Sequence, residues 1–62
     1  MQIKVFRRPI KELPQLEAEI NDWLKANNRS VTIQRESHVY QNHATGEDDM
    51  VVTVWYGLRN EV

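Results

Sequence analysis

At the start of the chain apolar and polar positions alternate: Ile3 and Val5 fall on one parity, and Gln2, Lys4 and Phe6 on the other. A period of two marks an extended strand, whose successive side chains point to opposite faces. The pattern predicts a first strand over 2–7. Arg7-Arg8-Pro9 should close it, because proline cannot donate to a ladder and holds the residue before it in extended geometry.

From Leu13 the period changes. Leu13, Leu16, Ile20, Trp23, Leu24 and Asn27 follow a three-and-four spacing that draws one stripe down a helix, predicted over 13–27. Pro14 suits the first helical turn, where its missing N–H would have had no partner, so Ile10 to Leu13 reads as a lead-in turn. Glu17 and Glu19 lie toward the positive end of the helix dipole and Lys25 toward the negative end. Asn27-Asn28 offers a left-handed residue to end the helix.

Alternation returns with Val31-Thr32-Ile33 and continues loosely through Val39 and Tyr40, predicting a second strand over 30–40 with Thr32, Gln34, Glu36 and His38 on its polar side. The segment 41–49, rich in Asn, Gly and acid, reads as a turn with Gly46 as its bend. The third strand, over 50–58, is apolar on both parities: Met50, Val52, Val54, Tyr56 and Leu58 on one, Val51, Thr53 and Trp55 on the other. A strand that is apolar on both sides belongs in the middle of a sheet.

Centring the third strand gives one domain over 1–62 of the α+β class. It is a two-layer β-α-β-β arrangement with a three-stranded antiparallel sheet in the order 1-3-2 and one amphipathic helix on one face. The helix should pack through Leu13, Leu16, Ile20, Trp23 and Leu24. The opposite face then carries Val51, Thr53 and Trp55, with Phe6 and Tyr40 beside them, and no further element is left to cover it.

Size sharpens the consequence. A chain of 62 residues removes only ~60% of its unfolded surface from water, so help from a staple or a partner is expected. The absence of cysteine excludes disulfides, thiolate metal sites and cysteine nucleophiles. With 40% hydrophobic and 27% charged residues the chain has the composition of a globular domain, not of a disordered one. No signal peptide or membrane-spanning stretch is read in it, and the expected location is cytoplasmic. Asn28-Arg29-Ser30 matches the glycosylation pattern, which carries meaning only in a secreted protein.

Candidate chemistry is thin. His38 and His43 with Glu47, Asp48 and Asp49 lack the fixed offsets that metal loops require, so no metal or cofactor is expected. Glu17, Glu19 and Asp22 lie on the polar side of the helix, where carboxylates make poor general acids at neutral pH. Ser30 and Ser37 have no triad partners at a justifiable spacing. Gly46 and Gly57 alone cannot build a phosphate cradle. The chain is similar in length to the small tautomerases, but their chemistry needs an amino-terminal proline and the first proline here is Pro9. The expectation is therefore a non-enzymatic binding or assembly module.

An uncovered apolar face marks a partner surface, and a homodimer needs only the same patch twice. Self-association, or docking of a protein partner, through Val51, Thr53, Trp55, Phe6 and Tyr40 is the leading expectation. Lys4, Arg7 and Arg8 are the cations available to an anionic partner. An alternative is single-stranded nucleic acid stacked on Phe6, Tyr40 and Trp55, with Arg59 adding a phosphate contact. The formal charge of -1 supplies no field to support it. A third reading follows from the element order, which resembles that of dodecin, a small flavin-storing β-α-β-β assembly. The resemblance implies a planar ligand between two Trp55 rings. It covers layout alone, because dodecin's ligand-stacking tryptophan lies on its second strand, where this chain offers Tyr40.

Overall fold

The computed structural model describes residues 1–58 and has the element order β1 (Gln2–Pro9), a 3-10 turn (Ile10–Glu12), α1 (Leu13–Ala26), β2 (Ser30–Gln41) and β3 (Asp48–Leu58). The three strands form one antiparallel sheet in the order β1-β3-β2, and α1 lies on one side of it. The fold is thus the α+β arrangement that the periodicity predicts, with β3 central.

The strand ends differ from expectation. β1 runs on through Arg7 and Arg8 to Pro9, which pairs with Asp49. Its place on an edge explains this, since an edge strand can direct a missing N–H away from the ladder. β3 starts earlier, at Asp48, which shortens the connection to 42–47. In that turn the Asn42 carbonyl accepts from the Thr45 and Gly46 N–H groups, and Asn42 N–H donates to the Glu47 carbonyl. Gly46 makes the bend at φ 73°, a left-handed conformation in which a side chain is strained.

The helix ends without a left-handed residue. Asn27 has φ -118°, and both its backbone N–H and its side-chain amide donate to the Trp23 carbonyl, at 3.0 and 2.8 Å. Those bonds satisfy a carbonyl that the helix terminus would otherwise orphan.

The core is small. Phe6, Leu16 and Val54 are buried, with Ile20, Trp23, Met50, Val52 and Tyr56 packed around them. Trp23 is its hinge point, meeting Phe6 edge-on at 5.9 Å and Tyr56 at 4.9 Å between ring centroids; such T-shaped pairs suit the aromatic quadrupole. Leu13 and Leu24, expected to pack on the sheet, are exposed at the margins of the stripe.

One placement reverses the expectation. Phe6, assigned from sequence to the uncovered face, is 3% exposed beneath the helix, whereas Ile3 and Val5 are 59% and 54% exposed on the other side. Phe6 lies opposite Val52 on the helix side, so its parity mates Gln2, Lys4 and Arg8 share that side. Each finds a partner there. Tyr56 hydroxyl donates to Gln2 Oε1 at 2.8 Å, Lys4 Nζ sits 5.4 Å from the Phe6 ring centroid, and Arg8 binds Glu12 and Glu19. The inward parity is the one on which Phe6 meets Trp23 edge-on and Gln2, Lys4 and Arg8 each find a partner.

Candidate interaction surface

The side of the sheet away from α1 is set by register. Ile3 lies opposite Trp55, Val5 opposite Thr53 and Arg7 opposite Val51 across β1 and β3, while Gln34, Glu36, His38 and Tyr40 flank Trp55, Thr53, Val51 and Asp49 from β2. The surface is therefore divided lengthwise. Ile3, Val5, Val51, Thr53 and Trp55 make a compact apolar area over β1 and β3, and β2 adds a polar border. Val51, Thr53 and Trp55 are half-buried by their neighbours, and no described element lies over them.

Of the expected face residues, Val51, Thr53 and Trp55 lie together. Tyr40 shares their side but stands opposite Asp49, at the hairpin end. Six positions of β3 separate Asp49 from Trp55, roughly 20 Å at the usual rise of a strand, so the two rings cannot stack on adjacent bases. Phe6 is on the other side altogether. Sequence reasoning missed Ile3 and Val5, which complete the apolar area. The signal that could have found them is Arg8, whose parity mate is Phe6 and whose acid four residues on, Glu12, closes the turn that leads into the helix.

Arg7, Arg8 and Asp49, at this end of the sheet, are internally paired. Arg7 Nε donates to Asp49 Oδ2 at 2.8 Å, and Asn42 Nδ2 donates to the same oxygen at 3.1 Å. Asp49 has a side chain only 5% exposed. The Arg7 guanidinium beside it holds its carboxyl below the usual range, against the opposing effect of burial, with the Asn42 amide helping. This one carboxylate thus ties β1, β3 and the turn. Arg8 is occupied by Glu12 and Glu19 on the helix side, and these hydrogen bonds raise its already high pKa. Lys4 also lies on the helix side. Lys4, Arg7 and Arg8, expected to meet an anionic partner, therefore do not form a common cationic site, and Arg59 lies outside the described residues.

The histidines and acids do not converge. His38 Nε2 approaches Glu36 Oε2 at 3.5 Å on β2, His43 is in the turn, and Glu47 is bound by Lys11 at 2.9 Å. Among the described residues no three potential metal ligands cluster. No described helix is long and apolar enough to cross a membrane.

The sheet is also open on the helix side. α1 lies over β1 and β3, and from Val31 to Gln41 every residue of β2 is exposed. Between the helix and β2 runs a groove of about 700 Å³ floored by Val52 and Val54 and walled by Ile20, Trp23, Leu24 and Ile33. Ile33 reaches it because the β2 register shifts between Thr32 and Gln34, leaving Ile33 unpaired at a bulge. No protein-family model, curated protein or solved structure matches the chain.

Proposed function

We propose that this chain is a small non-enzymatic assembly module that docks a second copy of itself through the bare side of its sheet. The observation that carries the reading is the apolar area formed by Ile3, Val5, Val51, Thr53 and Trp55, on which no described element lies. Two features favour a second copy as its occupant. Among the described residues the buried apolar core is Phe6, Leu16 and Val54, little for a domain whose stability depends on apolar burial. Covering the bare side against a two-fold mate adds burial worth roughly 1.5–3 kcal/mol for each large side chain fully removed from water.

Charge is the second feature. Arg7 is neutralised by Asp49, and Ile3, Val5, Val51, Thr53 and Trp55 carry no charge, with Glu36 on the polar border beside them. Like charges brought together would oppose a two-fold contact, and here they are absent from the apolar centre.

The test is Val5→Glu, chosen because Val5 is already exposed in the single chain. Sedimentation should show a lower mass for the variant than for wild type at equal concentration, with unchanged circular dichroism. Equal masses for the two proteins would refute the face as the contact. A wild-type chain that stays single until a different protein is added would assign the same surface to a hetero-partner.

A further inference from the structure

β2 is an edge strand of 12 residues, and its outer side pairs with no described strand. Edges of this kind present a row of free backbone donors and acceptors and are normally blunted by charged side chains, lysine above all, or by proline, bulges or a covering element. β1, the opposite edge, has these devices in Lys4 and Pro9 and is only 8 residues long. β2 has neither residue type; its charged side chains are Arg35 and Glu36, of opposite sign, and its one bulge, at Ile33, lies near its start. From Gln34 to Gln41 it is regular, exposed and uncovered.

We infer that two copies of the chain join edge to edge through β2, antiparallel about a two-fold axis at Ser37, making one continuous sheet of both copies with the helices on the same side. A two-fold axis perpendicular to a sheet sets one residue against its own mate, so the register is a choice of that residue. Centring on Arg35, Glu36 or His38 opposes two identical charged or titratable side chains, which is destabilising for like charges. Centring on Gln34 runs the ladder into the bulge, and centring on Val39 leaves only Ser37 to Gln41 before the turn.

Ser37 avoids each problem. Its register sets Glu36 against the mate's His38 twice, Gln34 against Tyr40 twice, and hydroxyl against hydroxyl at the axis. The imidazole is a hydrogen-bond donor to a carboxylate in either protonation state. The paired run, Gln34 to Tyr40, is symmetric about Ser37 and starts just past the bulge. This contact is separate from the one proposed for the bare face. With this contact alone, two chains form a single extended sheet, and with both in place four chains close where the two axes cross at right angles.

Cysteine cross-linking tests the register directly, because the chain has no cysteine of its own. Residues directly opposite in an antiparallel pair have Cα atoms ~4.5–5.5 Å apart, inside the ~4.4–6.8 Å that a disulfide spans. Ser37→Cys should therefore oxidise in air to a disulfide-linked dimer that reductant reverses. Arg35→Cys and Val39→Cys, on the same side of the strand, should not cross-link alone but should do so when mixed. Introducing Val5→Glu beside Ser37→Cys removes the face contact and should leave the cross-link intact, which separates failure of the two contacts. Absence of a Ser37→Cys dimer, or equal cross-linking of all three single variants, would overturn the inference.

Discussion

Ile3 stands directly opposite Trp55 across the β1–β3 ladder, on the side of the sheet that the helix leaves bare. Cross-strand neighbours of this kind stabilise a sheet by packing against one another. Here the pair also extends an apolar area outward instead of into the core. The same strand sends Phe6 the other way, so β1 serves two surfaces through alternate residues.

That division predicts opposite responses to truncation. Phe6→Ala should cost about 3–5 kcal/mol, as removal of a buried aromatic does, which is comparable to the whole stability expected of a chain this short. Ile3→Ala should change the stability of the single chain by less than about 1 kcal/mol, because Ile3 is already largely exposed. Thermal melts at low concentration, followed by circular dichroism, measure both. A melting temperature for Phe6→Ala equal to that of wild type would contradict the assigned core.

Asp49 predicts an acid-sensitive term. Its folded pKa is lowered, chiefly by Arg7, below an unfolded value of about 3.9. The stabilisation is therefore complete above that unfolded value and is lost as pH falls through the lower folded one. Asp49→Asn should remove this part of the acid transition. In Arg7→Ala the chief cause of the lowered pKa is gone, so this acid-sensitive contribution should shrink. Urea denaturation between pH 2 and 6 distinguishes these slopes, and identical slopes in Arg7→Ala and wild type would remove the ion pair from the account.

Gly46 predicts a backbone effect free of packing. At φ 73° a Cβ would meet nothing within 4 Å, so Gly46→Ala should cost about 1–2 kcal/mol from conformation alone. Gly46→Asn should cost less, because asparagine tolerates the left-handed region. Equal stability of the alanine variant and wild type would mean that the turn relaxes to another shape.

The element order and the central place of β3 were legible because β3 is apolar on both parities and α1 carries a clean three-and-four stripe. The side of β1 that meets the helix was not. Ile3 and Val5 outnumber Phe6, and counting apolar positions points the wrong way; only the partners of Arg8 and Gln2 reveal that their parity lies inward. The bulge at Ile33 was equally hidden, since no glycine marks it, and it moves Ile33 into the helix-side groove. Val51, Thr53 and Trp55 share the side away from the helix, as alternation along β3 requires. Their neighbours Ile3 and Val5 were missed for the same reason that Phe6 was misplaced.

The most direct test of the proposed assembly is the light-scattering mass of the wild-type protein over a concentration series. A single chain weighs 7.4 kDa. The mass should rise above this value with concentration and reach a plateau at a whole multiple of it. A mass of 7.4 kDa at every concentration would contradict the proposed assembly.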